Sequence, residues 1–180
     1  MTDEREAKLA EQYRLQGVVR SGADGMDVEI LGGKSNLTDV AARVGLGQLA
    51  RLDEFNHLRR ELAREYFKLF SGPEIHAFGL GLPVADFTQS NWHMFQVLLP
   101  DGGRSRAEIM EKLTALGIGT GVHYPAIHLF TLYRALGWKA GDFPHAERAE
   151  RTLLTLPLFP TMTADDVNRV VDALIKVLQA

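Results

Sequence analysis

Two of the chain's six histidines stand close together, His123 and His128 in Gly121-Val122-His123-Tyr124-Pro125-Ala126-Ile127-His128. Paired imidazoles raise metal ligation as the first chemistry to weigh, and the spacing argues against it. Pro125 disfavours the helix that would set both rings on one face, no carboxylate lies nearby in sequence, and the chain has no cysteine to supply a thiolate. The functional reading is a loop after a strand, where imidazole and aromatic groups beside a turn-forming proline face a ligand. The structural reading is a set of rings that cap a sheet edge and bond locally. Both stay open on these residues alone. His93, within Asn91-Trp92-His93-Met94-Phe95, reads as a core or edge histidine, and His57, His76 and His145 have still less around them.

Lys34 and Asn36 form a second cluster, in Gly32-Gly33-Lys34-Ser35-Asn36-Leu37-Thr38-Asp39. They precede a long helical pattern, where backbone N–H groups and the positive helix end favour an anion, with phosphate the natural one. The spacing is not that of a P-loop, and plain helix capping explains the same residues. No Gly-x-Ser-x-Gly marks a nucleophile, and Arg59, Arg60, Arg64 and Lys68 with Glu61 and Glu65 read as a solvated charge pattern on an exposed face. No self-contained catalytic centre is visible.

The elements that must position these groups follow from periodicity. Thr2 caps a short helix with Asp3 and Glu4 in its first turn and Leu9, Ala10 and Tyr13 along it, and Gly17 stops it. After turn residues 21–25, Met26, Val28 and Ile30 alternate with Asp27 and Glu29 as a short strand or arm. Thr38-Asp39 caps a pattern in which Val40, Val44, Leu49, Leu52, Phe55, Leu58, Leu62, Tyr66 and Leu69 recur mostly in threes and fours. One helix of about 30 residues, a rod of roughly 45 Å, is predicted, joining two bodies or crossing a subunit boundary. Gly45 and Gly47 within it point to a kink or a close backbone approach, with ordinary tolerance as the alternative.

The Gly- and Pro-rich stretch 71–90 is the predicted linker between residues 1–70 and 91–180. Trp92 to Leu99 reads as a strand with Phe95, Val97 and Leu99 on one face and Met94 and Leu98 on the other, hence covered on both sides. Ser105 and Glu108 form a capping box for a helix burying Ile109, Leu113 and Leu116 and ended by Gly117. Residues 118–124 look extended, Pro144 starts a helix through about Leu154, and 156–159 is a short extended piece. Thr163 and Asp166 cap a final helix burying Val167, Val170, Val171, Leu174 and Leu178. Strand and helix alternate, so residues 91–180 are an α/β layer.

Composition narrows the class. The chain has 180 residues, 46% hydrophobic and 24% charged, enough to bury a core without staples, and the missing cysteines fit a reducing compartment. Lys and Arg number 11 against 14 acids in residues 1–90 and 9 against 9 in residues 91–180, too balanced for a nucleic-acid partner. No apolar run approaches the roughly 20 residues of a membrane span. Thr2-Asp3-Glu4-Arg5-Glu6 is not secretory-signal chemistry, so a soluble cytoplasmic protein is expected.

Four segments together resemble the C-terminal half of a sugar aminotransferase of the DegT/DnrJ/StrS family: 31–53 from Leu31-Gly32-Gly33 to Leu52-Asp53, the Trp92-His93 strand, 117–125, and Leu156-Pro157-Leu158-Phe159-Pro160-Thr161-Met162-Thr163. The resemblance covers nearly the whole chain. It implies a fold-type I, homodimeric α/β enzyme that uses pyridoxal 5′-phosphate to move an amino group from glutamate to a keto sugar, usually nucleotide-linked, of the kind used in polysaccharide biosynthesis. It implies a long connecting helix that ends the large domain, followed by a small α/β domain with a short sheet flanked by helices. In such enzymes a lysine preceded by histidine and followed by glycine forms the Schiff base, and Lys8, Lys34, Lys68, Lys112, Lys139 and Lys176 all lack that context. The chain thus looks like a family member beginning just after its cofactor lysine, not binding the cofactor covalently and inactive alone. By the same resemblance, Lys34 or Asn36 reaches the neighbouring subunit's cofactor phosphate, and His123, Tyr124 and His128 lie where the small domain closes over substrate. A stand-alone, non-catalytic α/β binding or dimerisation module is the competing expectation.

Overall fold

The structure is a computed structural model that describes residues 3–21, 25–72 and 78–179. The chain divides into two compact units, Met1–Arg51 and Leu52–Ala180. The division falls inside the expected long helix and not in the 71–90 stretch, of which 73–77, with His76, lie outside the described residues.

In the first unit, α1 (Glu4–Arg14) is capped by Asp3, whose carboxylate accepts from the Arg5 N–H at 2.9 Å. The expected Thr2 cap lies outside the described residues. Gly17 turns the chain at φ 77°, and a Cβ there would lie 1.7 Å from the Ile30 carbonyl oxygen, so no other residue fits. β1 (Val18–Ser21) and β2 (Gly25–Val28) form an antiparallel hairpin with Val18 opposite Val28. β1 carries no alternating signal of its own and was not expected. α2 (Asp39–Leu49) is capped by Thr38, whose hydroxyl accepts from the Ala41 N–H at 3.2 Å. Neither α1 nor α2 buries a residue.

The expected continuous rod is two helices, α2 and α3 (Leu52–Phe70), separated by the turn residues Ala50 and Arg51. Gly45 and Gly47 lie within α2 and not at the break, and neither makes the expected close approach: nothing lies within 4 Å of a Cβ built at either. Periodicity continues across the break because it records apolar spacing and not the backbone dihedrals of two turn residues.

The second unit holds the core. β3 (Phe95–Leu98) pairs antiparallel with a later strand, β4 (Leu153–Leu156), with Phe95 opposite Leu156 and Val97 opposite Leu154. Single bridges extend the sheet outward, Gly81 to Leu98 and Gly121 to Thr155. Phe95, Val97, Leu154 and Leu156 are almost wholly buried with Tyr66 and Phe70 of α3 and Ile109 and Leu113 of α4 (Arg106–Ala115). The later helices are α5 (Thr131–Ala135), α6 (Pro144–Thr152) and α7 (Ala164–Gln179). α7 presents Val167, Val170, Val171 and Leu174 to the same core, and Leu178 is only partly buried.

Both predicted capping pairs form: Ser105 with Glu108, and Thr163 with Asp166. These bonds hold the Glu108 and Asp166 carboxyls below the usual carboxylate range.

Other expectations shift. β3, expected from Trp92, begins at Phe95, because Trp92 takes φ 48° and is buried against Phe67, Phe87 and Phe95. The last strand is Leu153–Leu156, three residues earlier than expected, because Pro157 follows it and its carbonyl accepts from the Tyr66 hydroxyl at 2.8 Å. Leu116 is exposed, just before the positive-φ Gly117. Arg64 pairs with Glu61 and Lys68 with Glu65 as expected. Arg59 and Arg60 instead bury their Nε atoms.

Burial raises the Tyr66 hydroxyl pKa above its ordinary value of 10.0, helped by the Asp166 charge. A raised pKa means that the folded state keeps the proton, so this stabilisation is full below pH 10 and is lost as pH climbs beyond it. Tyr66→Phe should cost about 1 to 2 kcal/mol near neutrality, the loss of a bond to a covered carbonyl. In urea titrations the gap between parent and variant should narrow from pH 9 to pH 11. A gap that stays constant would show that Tyr66 does not titrate with unfolding.

Candidate functional site

The two faces of the β3–β4 sheet differ. One carries the apolar pairs already described. The other carries Gln96 opposite Thr155, and Leu98 opposite Leu153. That polar pair fixes His123: Gln96 Nε2 donates to the His123 carbonyl at 2.7 Å, and Thr155 Oγ1 lies 2.9 Å from His123 Nδ1. The Gly121–Thr155 bridge brings the segment to the sheet edge through reciprocal main-chain bonds of 3.0 and 2.8 Å. A Cβ at Gly121 would stand 2.9 Å from the His123 ring, so glycine leaves the ring its place.

Beyond His123 the chain runs through exposed Tyr124 and half-buried Pro125 into a 3₁₀ turn, Ile127–Leu129. His128 is buried in that turn. Its Nε2 lies 3.0 Å from Glu147 Oε1, which also accepts from the Gly141 N–H at 2.7 Å. These bonds, the Gly141 amide foremost, hold the Glu147 carboxyl below its ordinary range. One carboxylate oxygen thus ties together the 3₁₀ turn, the loop before α6 and α6 itself. Phe143 meets the His128 ring edge-on with centroids 5.0 Å apart, and Trp138 lies 5.3 Å from Phe143.

These segments line an open pocket of about 520 Å³. Its wall runs from His123 through His128 and is completed by Tyr133, Trp138, Phe143 and the side of α6. The three residues expected on the substrate side therefore converge, with unequal parts. Tyr124 is exposed at the rim with its ring edge-on to His123, His123 is oriented by the sheet, and His128 is a wall whose Nε2 is already engaged.

Sequence reasoning missed Tyr133, Trp138, Phe143 and Glu147. A signal existed in the aromatic residues set between Gly137, Gly141 and Pro144, and in Gln96 and Thr155 as polar positions within otherwise apolar strands.

Lys34 and Asn36 lie in the first unit, on the exposed segment that leads to α2. Main-chain bonds from Gln16 to the Gly33 carbonyl and from Ser35 to the Arg14 carbonyl, both 2.9 Å, hold this segment beside the end of α1. Neither side chain makes a hydrogen bond or ion pair among the described residues. The donor set, one ammonium and one amide on a braced segment, suits a phosphate. Nearby apolar side chains are bare: Leu31, Leu37, Val40 and Leu49 are 95%, 73%, 77% and 64% exposed. Among the described residues, no helix is long and apolar enough to cross a membrane.

The sequence profile of the DegT/DnrJ/EryC1/StrS aminotransferase family matches residues 1–175. The uncharacterized protein MJ1066 of Methanocaldococcus jannaschii is 34% identical over 190 residues, which cover 98% of this chain and 48% of that protein. Among solved structures, DesV of S. venezuelae is 33% identical with a TM-score of 0.79, over 99% of this chain and 45% of that one. Spr1654 of Streptococcus pneumoniae, assigned as a sugar aminotransferase and solved in a PLP form, is 25% identical with a TM-score of 0.83, over 99% of this chain and 45% of that one. The chain spans about half the length of the relatives it matches.

Proposed function

The chain belongs to the DegT/DnrJ/EryC1/StrS aminotransferase family, and from that premise we propose that residues 1–180 are the C-terminal portion of a cytoplasmic, homodimeric aminotransferase using pyridoxal phosphate. Its amino donor is glutamate and its acceptor a nucleotide-linked keto sugar. The observation that most supports this is the match across residues 1–175, joined to a sheet face that presents His123 and Tyr124 beside an open pocket. When bound, pyridoxal phosphate supplies the electron sink that lets an amino group move.

The chain's own residues bind and orient. Lys34, with a point charge, or Asn36, with an amide N–H, would hold the cofactor phosphate of the neighbouring subunit. Thr155 occupies His123 Nδ1 and leaves Nε2 to face the substrate, with Tyr124 at the entrance. His128, held by Glu147, keeps that segment in place. None of the six lysines has the histidine-before, glycine-after context of the Schiff-base lysine. We assign that role to a lysine outside residues 1–180, so this portion does not transaminate alone.

The proposal is tested by incubating residues 1–180 with pyridoxal phosphate, reducing with borohydride, and mapping any adduct by mass spectrometry. No single lysine should be labelled stoichiometrically. A specific adduct at any of the six would place the Schiff base within this chain and end the proposal.

A further inference from the structure

We propose that residues 119–122, the open edge of the sheet in the Leu52–Ala180 unit, pair antiparallel with the same edge of a second copy of this chain. Across that sheet the order is Gly81, β3, β4 and then Gly121, each joined to the next by main-chain bonds. Gly121 commits both its N–H and its carbonyl to Thr155. In extended chain the groups of the residues on either side turn the opposite way, so the N–H and carbonyl of Thr120 and of Val122 point away from β4. None of these four groups makes a hydrogen bond among the described residues.

Soluble proteins shield an open edge with a charged side chain, a proline or a bulge. Gly119-Thr120-Gly121-Val122 has no charge and no proline. Apolar surface borders it: Ile118, Pro157, Phe159 and Met162 line a recess of about 270 Å³ beside the edge, and Phe159 is 51% exposed. The charged groups on the wall of that recess, Arg169 and Asp166, are opposite in sign, so a second copy meets no net repulsion there.

The pattern of the edge selects a second copy over a different strand. Two outward-facing residues separated by one inward-facing residue are complementary to themselves about a two-fold axis. With the axis at Gly121, Thr120 of each copy faces Val122 of the other, and each facing pair exchanges two main-chain bonds. Gly121 then faces its own symmetry mate as the non-bonded pair, where two backbones come closest, about 4.5 Å between Cα atoms. Glycine is the residue that admits such an approach. Gly119 falls opposite His123 of the other copy, and nothing lies within 4 Å of a Cβ built at Gly119, so the ring has room. A short edge makes a small interface, and the pairing follows concentration. In the complete enzyme it would be an isologous interface additional to that of the homodimer.

Sedimentation velocity on residues 1–180 should show association that rises with concentration. Thr120→Pro removes one outward N–H per copy and should weaken that association about tenfold or more, with the thermal midpoint showing that the variant is folded. Cross-linking reads the register. The chain has no cysteine, so Thr120→Cys and Val122→Cys each introduce a single thiol, and the hydroxyl lost from Thr120 is buried without a partner. Under mild oxidation a mixture of the two variants should form the mixed disulfide about tenfold faster than either variant couples to itself. Facing Cα atoms lie about 5.5 Å apart and like residues about 7 to 8 Å, beyond disulfide reach. The inference is overturned if the chain stays monomeric up to about 1 mM, if folded Thr120→Pro associates like the parent, or if mixed and like disulfides form at equal rates. Association through the bare apolar residues of α2 would give the last two results. If Thr120→Pro does not fold, the cross-linking rates decide alone. None of these measurements involves cofactor or turnover, so their failure leaves the aminotransferase reading standing.

Discussion

Phe95→Ala should destabilise the Leu52–Ala180 unit by about 3 to 5 kcal/mol, the largest loss expected from any single truncation in the chain. Phe95 is fully buried and meets four other rings: Tyr66 at 4.6 Å, Phe67 at 5.3 Å, Trp92 at 5.9 Å and Phe70 at 6.1 Å between centroids. Three of these rings belong to α3 and the fourth to the segment before β3, so a cavity there loosens helix and sheet together. A domain of this size commonly has about 5 to 15 kcal/mol in all, so about a fifth or more of the total is at stake. Urea unfolding followed by circular dichroism measures it. A loss below 1 kcal/mol would mean that the aromatic cluster is not the centre of the core.

Lys34→Ala should weaken cofactor retention in the complete enzyme by about 1.5 to 3 kcal/mol, the worth of a charge-assisted hydrogen bond, or roughly ten- to a hundred-fold. Fold stability should change by less than about 0.5 kcal/mol, because the side chain is exposed and makes no bond among the described residues. Mixed dimers sharpen the expectation. With Lys34→Ala in one subunit and the Schiff-base lysine removed from the other, the intact lysine is served by a normal loop. With both changes in the same subunit, the intact lysine faces the altered loop. The first arrangement should hold cofactor better, and equal retention would rule out a role across the dimer.

The sequence made the helices legible where capping chemistry and apolar spacing agreed. Ser105 with Glu108 and Thr163 with Asp166 marked helix starts that the structure reproduces, because a cap is a local hydrogen-bonding problem solved within four residues. The breaks were less legible. Apolar positions from Val40 to Leu69 keep helical spacing, yet α2 leaves Val40 and Leu49 exposed while α3 buries Leu62, Ala63, Tyr66 and Phe70. The spacing tells which face is apolar and not what covers it. Strand limits moved for tertiary reasons: Trp92 leaves the extended region to reach Phe67 and Phe87, which no local pattern encodes.

The site divided the same way. His123, Tyr124 and His128 were visible because unusual residue types cluster in sequence. Glu147 was invisible because the carboxylate that locks His128 stands 19 positions away, on a helix whose sequence reads as ordinary exposed charge. Gln96 and Thr155 became partners of His123 only through the register of two strands far apart in the chain.

The most direct measurement joins residues 1–180 with the lysine-bearing large domain that the proposed function requires, expressed as a separate polypeptide. Pyridoxal phosphate, glutamate and a panel of nucleotide-linked keto sugars are added, and 2-oxoglutarate and aminated sugar are followed by mass spectrometry. Sugar-dependent turnover should come from the mixture and from neither part alone. Turnover by residues 1–180 alone, or a mixture no more active than the large domain by itself, would contradict the assignment of this chain as the substrate- and phosphate-binding portion of a sugar aminotransferase.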